Sequence, residues 1–213
     1  MKLNMQAVDP VKYTLKTRFR FRCHKGISCF TRCCSNIDIM LTPYDIIVMK
    51  KRLKMSSTEF LERYTYTRID DKTSHPFVFL KMLDDNERRC PFVTEDGCSI
   101  YESRPLNCRY YPVGQGVMRI MQGDKPVGED FYFFLREEHC KGFQEAQEWT
   151  IEEWRKDQGI EIYDSVNISW RLIQLRKNPP GHVIEPKKQA LYYMACYDMD
   201  RFKRFIFESG FLE

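Results

Sequence analysis

Eight cysteines of this chain form two groups that could bind metal. Four thiols lie within twelve residues near the start of the sequence, two of them adjacent, and four more follow much later. Thiolates bind Zn²⁺ and the iron of iron–sulfur clusters, and such sites need several thiolates to converge. The pattern therefore predicts a fold closed by metal between the two groups. The candidate metal ligands are Cys23, Cys29, Cys33, Cys34, Cys90, Cys98, Cys108 and Cys140.

Spacing within the first group suggests how its thiols divide. Cys29 and Cys33 are four residues apart, so one helical turn would place both on the same side. Gly26 allows a tight turn between Cys23 and that segment. Adjacent Cys33 and Cys34 would close a small, strained ring if both bound one ion. The two thiols are therefore expected to serve different centres, or only one of them is a ligand.

The other residues with possible site chemistry have simpler interpretations. Cys196 stands alone late in the chain and is expected to be a small core residue. His24 and His139 each precede a cysteine and could bind zinc, although such histidines are more often polar packing. Arg104 and Arg109 bracket Cys108. They could hold an anionic substrate, but screening of clustered thiolates needs no substrate and is preferred.

Composition limits the classes of protein to consider. The chain has 213 residues, 43% of them hydrophobic, and can bury a core without covalent cross-links. One domain with an appendage is expected. A net charge of +4 does not by itself predict binding to nucleic acid or to anionic lipid. The sequence contains no membrane-length apolar run, and residues 1–22 lack the apolar core of a signal peptide. A reducing cytoplasm is therefore expected, where clustered cysteines are ligands or redox groups more often than disulfides.

Catalytic motifs of the common hydrolases are missing from the sequence. There is no Ser-His-Asp grouping, Gly-rich phosphate loop or GxGxxG, and the chain has only four histidines. Histidine-based metallohydrolase chemistry is therefore not expected.

Elements before residue 65 are predicted from local patterns. The segment Arg18–Arg22 alternates as a half-buried strand does, with its arginines in solvent, and should deliver Cys23 into the interior. Thr42 caps a helix that runs to about Lys54. A capping box at Ser56 then starts a second short helix through Tyr64.

The middle of the chain is predicted to be rich in hairpins. Segments 77–83 and 89–93 flank a polar turn, and Asp96-Gly97 is a second turn signal just before Cys98. Cys90 and Cys98 should thus be close in space. A turn at Arg104-Pro105 should place Cys108 near them. Another hairpin is predicted from 117–121 and 130–135, around Gly123 and Gly128.

After Cys140 the pattern becomes helical. A capping box at Thr150 predicts a helix to about Gln158, and apolar residues then recur at helical spacing up to Asn178. A single last helix is predicted from Pro186 to Gly210. The aromatic positions of this region are core or partner surface, with core preferred. The predicted class is α+β, with a cysteine-cluster domain of short helices and β-hairpins at 18–143 and a packed helical extension at 144–213.

An ordered set of motifs resembles the YkgJ-like cysteine cluster proteins, a family described as zinc- or iron-chelating. That signature opens with C-x2-C-x2-C-C, whereas this chain has C-x5-C-x3-C-C. The resemblance spans about residues 19–143 and implies a metal centre. The matching segments are Cys23–Cys34, Thr42–Ile46, Cys90–Phe92, Gly97–Tyr101, Arg104–Pro112 and Cys140–Gly142.

These observations leave more than one functional hypothesis open. The first is a protein that binds an iron–sulfur cluster or Zn and has a redox or protein-modifying role. The alternative is a non-enzymatic, zinc-stabilised module that binds a protein partner, and metal storage or delivery is a third. Thiolate ligands suit both metals, so the cofactor stays undecided at this point. Neither nucleic acid nor membrane is an expected partner.

Overall fold

A computed structural model describes residues 8–9, 11–71, 73–122, 125–174 and 184–210. They form helices and short antiparallel strands, so the fold is α+β as predicted. The strands are β1 (Arg18–Arg20), β2 (Met40–Leu41), β3 (Thr65–Ile69), β4 (Pro76–Leu80), β5 (Val93–Thr94), β6 (Gly97–Cys98), β7 (Val113–Gln122), β8 (Lys125–Phe134) and β9 (Glu148–Thr150). The helices are α1 (Pro43–Leu53), α2 (Ser57–Tyr64), α3 (Leu106–Tyr110), α4 (Ile151–Asp157), α5 (Ile160–Gln174), α6 (Pro186–Cys196) and α7 (Met199–Glu208).

Three helices begin where their capping signals predict. Thr42, Ser56 and Thr150 each accept a hydrogen bond from the backbone N–H three residues later, and each forms a complete capping box. Helix α1 ends at Leu53, and its C-cap residue Lys54 adopts the left-handed conformation (φ 56°). Helix α4 is followed by Gly159 at φ 62°, where a residue without Cβ is favoured.

Strand β4 belongs to a sheet whose other strands were not predicted. Segments 77–83 and 89–93 flank the polar turn as predicted, and the Leu83 N–H donates to the Arg89 carbonyl over 2.8 Å. Strand β4 itself lies between β2 and β3 in a three-stranded sheet. Thr65 pairs with Leu80, and Met40 pairs with Phe79. Strand β3 follows α2 with no intervening loop, so no turn signal marked its start.

Two hairpins were predicted more closely. Strands β5 and β6 pair Val93 with Cys98, and Gly97 has a φ of 109° that other residues rarely adopt. Strands β7 and β8 form a ten-residue ribbon, longer than predicted. Gly128 lies within β8 rather than at the turn, and Gly123 lies outside the described residues.

The carboxy-terminal region contains two corrections. The predicted last helix is two helices, α6 and α7, separated at Tyr197 and Asp198. The Asp198 carboxylate accepts a 2.6 Å hydrogen bond from the Ser57 hydroxyl, a contact that no local pattern indicates. In α5 the aromatic Trp170 is buried, as preferred, whereas Ile162 and Val166 are 55% and 53% exposed. Residues 175–178, where that helix was expected to end, lie outside the described residues.

Two hydrophobic cores organise the molecule. The first includes Ile46, Phe60 and Leu80, and Trp170 of α5 packs into it. The second includes Phe21, Phe134 and Trp154 and lies beside the pairing of β1 with β9. Segments on both sides of residue 143 therefore contribute to each core. In the part of the chain that the structure describes, no helix combines the length and apolar character needed to cross a membrane.

Candidate metal centre

The first cysteine segment is held by turns rather than by a regular helix. The N–H of Arg32 donates to the Cys29 carbonyl, and a short 3-10 helix covers Arg32–Cys34. Cys23 was expected inside the protein but is largely exposed, because β1 ends at Arg20 and Phe21 is the last buried side chain of that segment. Cys29 is buried, with 8% of its surface exposed.

Four cysteines from two distant segments line one small cavity. Its volume is about 10 Å³, enough for one small ion or water. Phe21 and Gly142 close one side, where the Gly142 backbone lies so near the Phe21 ring that an added Cβ would be 2.5 Å from it. We call these thiols the first group: Cys23, Cys29, Cys33 and Cys140.

Polar donors surround the first group. The Lys141 N–H donates to Cys29 Sγ over 3.1 Å. Tyr111 also lines the cavity, and its hydroxyl donates to Glu137 Oε2 over 3.0 Å. Burial, followed by a hydrogen bond with Cys140, raises the pKa of Tyr111, so the phenol stays a neutral donor at physiological pH.

The remaining four clustered cysteines form a second group beside the first hydrophobic core. Their thiols are close enough that charge on one raises the pKa of another. The Cys90 N–H also donates to the Cys34 carbonyl over 2.7 Å, which joins the two sequence clusters. We call these thiols the second group: Cys34, Cys90, Cys98 and Cys108.

Burial keeps most of these thiols protonated. It raises the pKa of Cys90 to about 12 and also raises that of Cys98. The pKa of Cys108 is also raised, first by burial and then by the neighbouring thiols. A cation bound by these sulfurs would have to displace their protons.

Cys33 and Cys34 join the two groups. A hydrogen bond between their thiols raises the pKa of Cys33 and lowers that of Cys34, and burial adds to the rise at Cys33. Cys33 lines the cavity of the first group, whereas Cys34 does not and packs against the first core with the other members of the second group. Charge on Cys34 raises the pKa of Cys90, Cys98 and Cys108, and also that of Cys23, so Cys34 lies near thiols of both groups.

Side chains of the described residues do not form a finished ligand cage. Among them, no group of three or more His, Cys, Asp or Glu side chains is arranged to hold an ion as it stands. Hydrogen bonds engage several sulfurs, including those of Cys29 and Cys33. Ligation would require these side chains to rotate toward a common point.

The two arginines beside Cys108 have different roles. Arg109 is buried, and its guanidinium donates to the backbone carbonyls of Arg104 (3.2 Å), Gln158 (2.6 Å) and Glu102. Arg104 lies over the Tyr101 ring at 3.7 Å. Burial raises the pKa of Cys98, and the Arg104 guanidinium opposes that rise. Arg104 therefore fits the predicted screening role, while Arg109 holds the backbone in place.

Asp45 positions the helix that carries Cys108, a role that sequence reasoning missed. Its carboxylate is fully buried, completes the Thr42 capping box, and accepts a 2.8 Å hydrogen bond from the Leu106 N–H at the start of α3. Burial raises the pKa of Asp45 to about 6, although these hydrogen bonds oppose the rise. The capping signal identified Asp45, but only the fold connects it with Leu106.

Tyr111 is the other residue that sequence reasoning did not assign to the site. It follows Cys108 in the Arg-x-Tyr-Pro motif, and that proximity was the available signal. Cys196 lies elsewhere, in α6, packed against the first core.

Comparison with known proteins identifies one match. A family model named CxxCxxCC, described as a putative zinc- or iron-chelating domain, matches residues 22–141. That range contains all eight cysteines of the two groups. Neither the curated proteins nor the solved structures gave a match.

Proposed function

Because the chain belongs to the CxxCxxCC family of zinc- or iron-chelating domains, we propose that it holds two metal centres, formed largely by cysteine thiolates. Metal binding follows from the family, and the division into two centres is our inference from geometry. The first centre draws its thiolates from the first group, Cys23, Cys29, Cys33 and Cys140. The second takes the second group, Cys34, Cys90, Cys98 and Cys108.

The observation that carries this proposal is the cavity lined by the first group. Segments more than 100 residues apart in the chain bring four sulfur-bearing side chains to one space of about 10 Å³. A space of that size suits a single ion, whereas a four-iron cluster with its inorganic sulfides needs more room. Zn²⁺ with four thiolates is the usual structural site of this kind.

A structural role for the metal fits the surroundings best. Structural zinc supplies about 10–16 kcal/mol of apparent binding free energy, which is coupled to folding. Here the metal of the first centre would stabilise the region of β1 and β9, beside the second core. The metal of the second centre would stabilise the β5–β6 hairpin, beside the first core. The proposed function is therefore that of a metal-stabilised protein rather than an enzyme acting at the cysteines.

Contact between Cys33 and Cys34 favours a second candidate function. Their thiols share a hydrogen bond, so ligands of the two centres touch. Iron in both centres would place two redox sites next to each other, a geometry suited to electron transfer. Such a protein would have a redox role.

Anaerobic purification with metal analysis distinguishes these functions. A colourless protein with two zinc ions per chain supports the structural role. A brown protein containing iron and acid-labile sulfide supports the redox role. A chain that holds neither metal in a fixed ratio would contradict both.

We also propose that residues 18–143 are the metal-binding domain and 144–213 a helical extension that stabilises it. Two contacts support this division of roles. Strand β9 pairs with β1 just before Cys23, and the Gln158 carbonyl accepts from Arg109 beside Cys108. The extension thus supports backbone next to both centres without supplying a cysteine to either.

A further inference from the structure

His139 is a nitrogen donor at the cavity of the first group. Its ring lines that cavity beside Cys140. Its Nε2 atom is buried and has no hydrogen-bond partner among the described residues, and it lies 3.4 Å from Glu137 Oε2. The two atoms are within ion-pair distance but make no hydrogen bond, so this buried nitrogen lacks the hydrogen-bond partner that buried polar groups usually have.

His24 provides the contrasting case. It precedes Cys23 as His139 precedes Cys140, but both of its ring nitrogens are engaged. The Gly26 N–H donates to Nδ1 over 3.1 Å, and Nε2 lies 3.2 Å from Glu145 Oε2. His24 therefore has no free nitrogen for a metal.

The exposure of the cysteines identifies the sulfur that His139 could replace. Cys29 is buried and already accepts a hydrogen bond, whereas Cys23 is exposed at the edge of the cavity. Four thiolates around a divalent ion leave a net charge of −2, while three thiolates and a neutral imidazole leave −1. The smaller buried charge costs less desolvation free energy.

The geometry points to His139 as a metal ligand. We propose that, in the first centre, the His139 imidazole binds the ion together with Cys29, Cys33 and Cys140, and that Cys23 is a reserve donor that can take its place. This inference rests on the proposed two-centre function. Nε2 lies two bonds further from Cβ than a thiol sulfur does. His139 and Cys140 can therefore share one ion through a wider ring than adjacent cysteines would form.

Substitution with ¹¹³Cd²⁺ tests this assignment centre by centre, because soft Cd²⁺ binds thiolate sites and its NMR resonance depends on the number of sulfur ligands. The full chain loaded with ¹¹³Cd²⁺ should show two resonances, one typical of four sulfurs and one typical of three sulfurs and a nitrogen. His139→Gln should move the second resonance into the four-sulfur range, because Cys23 becomes a ligand. The matched control His24→Gln should leave both resonances in place.

A second variant keeps the test independent of whether His139→Gln folds. Cys23→Ser should retain both resonances and two ions per chain. Two four-sulfur resonances in the unmodified chain, with one lost in Cys23→Ser, would overturn the assignment of His139. If instead Cys29→Ser loses no metal, the first centre itself is wrong, and the proposed function fails rather than this inference alone.

Discussion

At the scale of single residues, the adjacent pair Cys33 and Cys34 determines how the cysteines divide. One thiol lines the cavity of the first group, and the other acts on the second group. Adjacent residues can contribute to different ligand sets because successive side chains in a turn point in different directions. The two candidate centres can therefore be perturbed separately by substitutions one residue apart.

Single serine substitutions should separate the two centres. Cys33→Ser is expected to remove the ion of the first centre and to lower the melting temperature, because metal binding is coupled to folding. Cys34→Ser should remove the other ion and leave the first centre intact. Metal per chain and a melting curve for each variant provide the measurement. Equal and complete loss of metal in both variants would mean that one centre is shared.

Cys196 provides a test of selectivity among the nine cysteines. It packs against the first core from α6 and lies outside the family match. Cys196→Ala should leave the metal content unchanged and cost about 1 kcal/mol of stability, the usual effect of a small packing change. Metal analysis of the purified variant checks this. Loss of one equivalent would show that Cys196 is a ligand.

At the scale of elements, short helices are connected to one another through buried polar groups. Asp45 at the start of α1 binds the start of α3, and Asn167 of α5 donates to the Thr42 hydroxyl over 3.1 Å. Helix α3 has only five residues and no side-chain cap of its own. Its position, and with it that of Cys108, therefore depends on α1.

Asp45→Ala should weaken the second centre as well as the fold. The substitution removes the capping box and leaves the Leu106 N–H without an acceptor, and we expect a loss of about 2–4 kcal/mol. Denaturant unfolding and metal analysis measure the two effects. Glu59→Ala is the matched control, because Glu59 completes an exposed capping box that has no link to a cysteine. That control should cause a smaller loss of stability and retain both ions, and similar loss of metal in both variants would contradict the proposed link.

At the scale of the whole molecule, cysteines of the two candidate centres pack against different hydrophobic cores. Cys140 packs against the second core, and Cys34, Cys90, Cys98 and Cys108 pack against the first. Metal bound at each centre would stabilise the core beside it. Stability of the whole chain should therefore depend on the metal and on the conditions that release it.

Binding of metal should release protons at pH 7. Burial raises the pKa of Cys90 to about 12 and also raises that of Cys108, so these thiols are protonated in the metal-free fold. Each bound ion displaces the protons of its ligands, about three or four in all, and affinity therefore weakens as the pH falls. Zinc titration calorimetry in two buffers of different ionisation enthalpy measures the number released. A heat of binding that is independent of the buffer would contradict the proposal.

Local chemistry in the sequence determined much of the secondary structure. Capping boxes at Thr42, Ser56 and Thr150 predicted three helix starts, because each box is completed within four residues. The partners of β4 were not predicted, and the sequence prediction was wrong about the break before α7 and the exposure of Cys23. Each depends on residues distant in the chain, such as the contact of Asp198 with Ser57, which no local pattern records.

For the candidate site, the sequence determined the chemistry and the tertiary structure decided the grouping. Residue type and clustering alone indicate thiolate ligands, because a metal site of this kind needs several thiolates to converge, and the structure has these cysteines free of disulfides. Cys140 meets Cys29 only because the chain returns through the β7–β8 ribbon and pairs β9 with β1. His24 and His139 both precede a cysteine, and only their neighbours in space distinguish them. Both nitrogens of His24 have partners, whereas His139 Nε2 has no hydrogen-bond partner among the described residues. A ligand set depends on which side chains are close in three dimensions. Spacing along the sequence predicts that closeness only for residues within one or two turns of each other.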